Sequence, residues 1–506
     1  MSAARSAVDG GGTEPRVKLL SRETVLPASP TPGDPFFLSC LDIMWQDIHY
    51  NRRFLFYSRP CVPASLMTDK TVSAEDRCSG GDSQASRLLQ HLKRSLSLCL
   101  VEYFCWCGRL ARAADPPHRF YIDCNDAGVE FTEATVDMPL SLLARDGFQM
   151  KPFFTDLCPA PDHRGSCLFS SPLLTIQATI FEDGGLSLGV AASHVVVDGL
   201  SLWNFMASWG ECSRGLQLSH APVLDRKRLA VATPSIEKAN QWRFCSGLNK
   251  QDQVDVQAEI NRKVELPTEK CEGKDRSDLS SSITMEKKEA DPSSLEEREQ
   301  HVDGGTEKDR DANELDCSHS TSHVQHLTDI KPVNDLVQCV LVMSDSAIRR
   351  LKIEAGEGYT SLEVLCAHFW QRISIAKKAG PGECTYLLVP INYRDRIKQP
   401  LPATYFGNVI GYSVVVTIAS KIREQPLGAT TSRIHAQLLA DKCGSIEPFM
   451  HWLETHDNCL TPLWLSSPMV HYNGVNVASS PWFPAYEVDF GWDKPAAVRA
   501  AKVSWI

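Results

Sequence analysis

Apolar residues recur along this chain at two different periods, and the places where the period changes outline its elements. Leu88, Leu89, Leu92, Leu96 and Leu100 fall at helical spacing, which predicts a helix over 84–110 leading into Cys107-Gly108-Arg109-Leu110. Farther on, Leu174, Ile176, Ala178 and Ile180 alternate with polar or small residues, as on a strand. Asp183-Gly184-Gly185 is a turn signal, and Leu186, Leu188 and Val190 then alternate again. The pattern is a β-hairpin whose second strand delivers His194 at its end. Ser201 is placed to cap a helix running through Leu202, Phe205, Met206 and Trp209 to about 212.

The second half shows the same alternation of periods. Val337, Cys339, Leu341 and Met343 predict one face of a strand, with Val340 and Val342 on the other. A helix over 345–355 follows, then one over 361–377 with Leu362, Leu365, Cys366, Phe369 and Trp370 on one face. A strand at 386–390 precedes Asn392-Tyr393-Arg394-Asp395-Arg396, a loop carries Tyr405-Phe406-Gly407-Asn408, and Val414, Val415, Val416 and Ile418 form another strand.

Composition divides the chain. No Phe, Trp or Tyr occurs between Phe244 and Tyr359, and 245–333 is rich in Lys, Glu, Asp, Ser and Gln. Such a segment buries too little apolar area to offset its ordering entropy, so it reads as a disordered charged linker, with a charged helix within 283–300 as a further option. The expected organisation is a disordered 1–16, a domain over 17–244, the linker 245–333 and a second domain over 334–506, which suits a chain of 506 residues.

The net charge of −10, with no basic stripe interleaved with aromatics, argues against a nucleic-acid partner. The polar, Gly-rich start has no apolar stretch of the secretory kind, and no apolar run is long enough to span a bilayer. The 18 cysteines are scattered, several in apolar runs (Cys99, Cys105, Cys107, Cys366), so the reading is a cytoplasmic protein with mostly free, buried thiols.

His194-Val195-Val196-Val197-Asp198-Gly199 carries the candidate chemistry. Acyl transfer from a thioester needs a base for the incoming hydroxyl or amine, and a histidine near neutral pKa suits that task. With 15 histidines, roughly one His-x-x-x-Asp is expected by chance, so the spacing alone decides nothing. His194 as a satisfied core histidine, and Asp198 as a turn or helix-cap aspartate, are the competing readings. Cys317, His319, His323 and His326 are metal-ligating by type, as are His451, His456 and Cys459, but neither set has standard ligand spacing, and the second reads as surface helix. No metal site is assigned. No phosphate-cradling loop or serine elbow is present.

Taken together, these segments resemble the plant BAHD acyltransferases, the HXXXD-type acyl-CoA transferases. Ser29 to Pro32 with Phe37 to Asp42, Leu92 to Leu110, His194 to Gly199, Thr360 to Trp370, Asn392 to Arg396, Tyr405 to Asn408 and Asp489-Phe490-Gly491-Trp492 match the family's landmarks in order. Trp203 through Trp209, with Ser479-Ser480-Pro481, is most similar to a cuticle-associated subgroup. The resemblance implies an α/β fold of two pseudo-symmetric chloramphenicol-acetyltransferase-like domains, with mixed sheets and a channel between them. It implies acyl-CoA as co-substrate, no permanently bound cofactor, a small alcohol or amine as acceptor, hydroxycinnamoyl groups among the acyl groups, and a monomer. By the same resemblance His194 is the base, and Asp198 pairs with an arginine, either Arg394 or Arg396. Gly199, Asp489, Gly491 and Trp492 belong to the CoA side. Some family members hold the oxyanion with a Trp at the position matching Ser480, two residues before Trp482.

Two departures stand out. The fifth residue of the DFGWG motif is Asp493. The chain also stops at Ile506, short of the family's usual late strands, as a truncated gene product would. A non-catalytic or regulatory relative, or an inactive paralogue, is therefore the alternative. A carrier-dependent condensation domain shares the His motif, but this chain has Ser193 where those domains carry a second His, and they lack DFGWG.

Overall fold

The fold is described from a computed structural model, which describes residues 14–45, 50–61, 81–114, 119–161, 165–239, 241, 338–455, 474–478 and 482–501. The charged segment 245–333, the cluster Cys317, His319, His323 and His326, and His456, Cys459, Ser479 and Ser480 lie outside these residues. The strands are β1 Val17–Val25, β2 Phe36–Phe37, β3 Asn51–Tyr57, β4 Arg109–Arg112, β5 Phe120–Asp123, β6 Val129–Val136, β7 Leu174–Phe181, β8 Leu186–Ala192, β9 Cys384–Asn392, β10 Ile410–Ile418, β11 Gly474–Asn476 and β12 Ala497–Ala500. The helices are α1 Cys40–Ile43, α2 Gly81–Glu102, α3 Leu140–Arg145, α4 Gly199–Ser213, α5 Ile236–Ala239, α6 Asp345–Ala355, α7 Ser361–Ala376, α8 Ala419–Glu424, α9 Leu427–Cys443 and α10 Glu447–Thr455.

Six strands form the main sheet in the order β1-β6-β7-β8-β3-β12, antiparallel except for β6 against β7. Both faces of its centre are covered, because every residue of β8 is buried. Strand β3 shows how the pleat divides the core. Leu55 and Tyr57 join the large cluster that includes α2 and α4, while Phe54 and Phe56 join a second cluster on the other face. A second sheet, β10-β9-β11, stands beside α7 and α9, and β2-β5-β4 makes a third. The architecture is mixed α/β, as the family resemblance implies.

Strand β12 crosses from the second half of the chain to pair antiparallel with β3, with Ala497 opposite Phe56 and Ala500 opposite Arg53. Contacts join the residues on both sides of the charged segment into one compact unit. Among the described residues, no helix is long and apolar enough to cross a membrane.

Local reading of the sequence holds best where capping agrees with periodicity. Helix α7 opens on a capping box between Thr360 and Glu363, and α6 on Ser344, whose side chain accepts from the Ala347 amide.

It fails in three places. The helix expected over 84–110 ends at Glu102. Phe104–Cys107 tightens into a 3₁₀ turn, and Gly108 is already extended at the entry to β4. The cap of α4 is Asp198 rather than Ser201, because the carboxylate, one turn earlier, reaches the Ser201 amide at 3.0 Å. The strand expected around Leu341 does not form over 338–344. A strand needs a neighbour as well as a pattern. Here Val340 exchanges both backbone hydrogen bonds with the Gln149 side chain, and Leu341 and Val342 are left 65% and 83% exposed.

Candidate active site

Strand β8 ends at Ala192, and the next six residues turn sharply into α4, with Val195, Val196 and Val197 buried beneath them. The polar groups of this turn are held at three points. Asp198 is buried and takes both guanidinium nitrogens of Arg394, at 2.7 and 3.0 Å, together with the amides of Ser201 at 3.0 Å and Val409 at 3.2 Å. Burial alone would push this carboxyl's pKa up. The Arg394 charge and the donated hydrogen bonds outweigh that and hold it below the usual carboxylate range. Arg394 also donates to the Ser201 hydroxyl at 2.9 Å and the Gly407 carbonyl at 2.9 Å, tying the His turn to the Tyr405–Asn408 loop. Arg396 takes no part. It is directed at the Asn392 carbonyl and its neighbour Asp395.

The other two points are held by a second buried pair that sequence reading did not find. Asp42 accepts from the backbone amide and side-chain amide of Asn408, both at 2.9 Å, and lies 3.5 Å from Arg226. The Asn408 side chain in turn donates to the His194 carbonyl at 2.8 Å. Arg226 donates to the Val196 carbonyl and, at 3.2 Å, to that of Phe406. Residues 194, 196 and 198 are thus clamped by partners separated in sequence by as many as 214 residues.

The His194 ring lies flat on the indole of Trp45, with centroids 3.9 Å apart and planes at 9°. Its Nδ1 is buried and has no well-aligned hydrogen-bond partner among the described residues, although its own carbonyl and the Asn408 side chain favour a proton on the ring. Burial moves its pKa down to about 4. The Asp198 charge and local hydrogen bonds oppose the shift, and Arg53 adds to it. The imidazole is therefore neutral at physiological pH, but its pKa lies below the near-neutral value expected of the base, because burial outweighs the groups that favour the cation.

Helix α4 connects this turn to the Asp489–Trp492 segment. Phe490 stands edge-on to Trp209 at 4.8 Å and stacks on Trp492, and the Val488 carbonyl accepts from the Tyr57 hydroxyl at 3.0 Å. Asp489 is occupied by the Gly491 amide at 2.7 Å and by Arg214 at 3.3 Å. Close approach requires a glycine in the helix, since a Cβ at Gly210 would lie 2.5 Å from the Asp489 carbonyl oxygen. At the other end of α4, a Cβ at Gly199 would lie 2.6 Å from the Phe483 ring, so the space beside Gly199 is filled by the tip of that ring. Trp482, next to the expected oxyanion position, is 88% exposed. His451 is not a surface residue; it is buried, and its ring accepts from the Ser235 amide at 3.2 Å. Among the described residues, no group of His, Cys, Asp and Glu is arranged to hold a metal ion.

The family model named Transferase family matches residues 81–505. The chain belongs to that family. Its members include the BAHD acyltransferases, and the protein is an acyl-CoA-dependent acyltransferase, moving acyl groups from CoA thioesters to hydroxyl or amine acceptors. BAHD acyltransferase DCR of Arabidopsis thaliana is 26% identical, over 96% of this chain and 84% of its own length. Shikimate O-hydroxycinnamoyltransferase of Nicotiana tabacum is 24% identical, over 95% of this chain and 89% of its own. The crystal structure of vinorine synthase has a TM-score of 0.58 at 19% identity, covering 96% of this chain and 89% of that one. The structure of F. sporotrichioides TRI101 complexed with coenzyme A and T-2 has a TM-score of 0.57 at 14% identity, covering 92% and 88%. At these identities the two structures show a shared fold.

One departure from the family motif has a measurable consequence in this acyltransferase. Asp493 adopts φ +84°, a region that favours glycine, and its carboxylate accepts from the Lys494 amide. Asp493→Gly is expected to raise stability by about 0.5–1 kcal/mol in denaturant unfolding, the relieved strain exceeding the lost hydrogen bond. A less stable variant would show that the hydrogen bond dominates.

Proposed function

We propose that His194 is the general base of a direct acyl transfer. The observation that carries this reading is a histidine at the end of a buried strand, on a turn held at three points, with Nδ1 enclosed and Nε2 left as the nitrogen to meet an acceptor. Nε2 takes the proton of the acceptor hydroxyl or amine as that atom attacks the thioester carbonyl. The tetrahedral oxyanion collapses, the C–S bond breaks, and the CoA thiolate recovers the proton from His194. Asp198 braces the turn through Arg394 and relays no charge, because its hydrogen bonds are spent on Arg394, Ser201 and Val409. Gly199, beside Phe483, and Asp489, Gly491 and Trp492, at the far end of α4, serve the CoA side of the same path. On this reading the protein works as a cytoplasmic monomer without a bound cofactor. Its acceptor is a plant specialised metabolite or cuticle precursor, by analogy with the relatives named above.

The test is release of free thiol from aliphatic and hydroxycinnamoyl CoA thioesters, with and without mixed alcohols and amines. Release should require the acceptor. Since protonated His194 cannot act as a base, kcat/KM should fall only on the acid side of about pH 5 and stay level to about pH 8, following the depressed value of about 4. An acid limb near 6.5, the ordinary histidine value, would contradict the buried neutral base. No release with any pair would favour a non-catalytic member of the family.

A further inference from the structure

We propose that Trp45 is a positioning residue for His194, its indole face doing what a hydrogen-bonded carboxylate does for other catalytic histidines. The inference rests on the reading of His194 as the base.

A histidine that moves protons must have its ring plane and tautomer fixed, and this is commonly done by a hydrogen bond at the ring nitrogen that does not react. No carboxylate does this here. Nδ1 has no well-aligned partner among the described residues beyond the pull of its own carbonyl and the Asn408 side chain, and the motif carboxylate, Asp198, is committed to Arg394. The clamps at residues 194, 196 and 198 hold backbone carbonyls and the Asp198 carboxylate, and none of them packs against the face of the imidazole. What meets the ring is Trp45, one residue past the C-cap of α1, parallel to it at 3.9 Å. Trp45 is buried, and its own Nε1 has no partner among the described residues, so the residue meets His194 through its ring face and not through its N–H.

Tyr412 also meets the indole, with centroids 6.1 Å apart, and Asp42 of α1 is the residue that anchors Asn408, so the helix that leads into Trp45 also holds the His194 backbone. A flat aromatic face has a second effect. When the imidazole takes a proton it becomes a cation over the indole, and the ring quadrupole favours that form in a dry site. The charged groups acting on the ring are Asp198, neutralised by Arg394, and Arg53 of β3.

The experiment compares Trp45→Leu and Trp45→Phe with the parent and with His194→Ala, each confirmed folded, in the thiol-release assay. Trp45→Leu should lower kcat roughly 10- to 100-fold, the scale of a misaligned catalytic group, with KM for acyl-CoA changed less than about threefold. Trp45→Phe, which keeps an aromatic face, should recover most of the loss. The acid limb of Trp45→Leu should stay at or below the parent's, because the face that favours the cation is gone. Loss of packing alone would admit water and move the limb up towards the ordinary value of about 6.5.

In proton NMR of ¹³C-histidine-labelled protein, the His194 Cε1–H signal, identified by its absence in His194→Ala, should be shifted upfield in the parent and in Trp45→Phe, and not in Trp45→Leu. Unchanged kcat in folded Trp45→Leu, a raised acid limb, or an unshifted signal in the parent would each overturn the inference. If His194→Ala itself keeps its activity, the base assignment fails instead. If that variant is inactive while Trp45→Leu is unaffected, only the role of Trp45 falls.

Discussion

His194→Ala should lower kcat by about 10²–10⁴-fold and leave KM for acyl-CoA nearly unchanged, the range that a positioned general base contributes. The prediction is sharp because no side chain beside the ring among the described residues can substitute. Asp198 is held ionised by Arg394 and turned into the protein, and Trp45 and Asn408, the other side chains against the imidazole or its carbonyl, have no proton to exchange near neutral pH. The residual rate should be nearly independent of pH between about 4 and 8, since the group that titrates is gone. Steady-state kinetics across pH on the folded variant checks both parts. A variant with parent-like kcat would remove the mechanism, whatever the family.

Arg394→Met should destabilise the fold by about 3–5 kcal/mol, the cost of leaving one charge of a buried pair alone. In the parent, Asp198 and Arg394 are both buried and meet in a two-pronged pair, so each repays much of the other's desolvation. Without the guanidinium the Asp198 carboxyl loses its counter-charge and its pKa rises. The sign with pH follows. In the parent the depressed carboxyl contributes stability above its unfolded value of about 3.9 and loses it as pH falls through the folded value. The gap between parent and variant should therefore narrow as the medium is acidified. Arg394→Met combined with Asp198→Asn should recover a good part of the loss, because no bare charge remains. Denaturant unfolding of the two singles and the double closes the cycle. Single losses below about 1 kcal/mol would mean that water reaches the pair.

How much of this was legible in the sequence depended on whether the signal was local. The β7–β8 hairpin could be read because its alternation, its turn residues and its partner lie within 20 residues of one another. Helix α7 could be read because Thr360 and Glu363 mark its start. The strand around Leu341 was misread because its pattern says nothing about whether a neighbour will be present. Arg394 and Arg396 are equivalent by composition, and only the turn after β9 separates them, one facing Asp198 and the other the Asn392 carbonyl. Asp42 and Arg226 were missed for a different reason. Asp42 looks like an ordinary helix-start acid, and Arg226 sits in Arg226-Lys227-Arg228, which reads as a solvated charge run. Their importance arises from burial beside a loop more than 360 residues from Asp42, a separation that no spacing rule can register.

The crossing of β12 onto β3 also governs how the molecule can be made. The edge of β3 that receives Ala497 to Ala500 emerges from the ribosome about 440 residues before its partner. At roughly 5–20 residues per second that edge waits on the order of half a minute to a minute and a half, together with the Tyr57 hydroxyl that Val488 will accept from. The first half of the chain therefore cannot finish its own sheet until β12 has been made. An unpaired strand edge invites wrong partners, so the newly made chain should depend on chaperones until β12 arrives, and stalled or shortened translation products should aggregate rather than accumulate as a folded half.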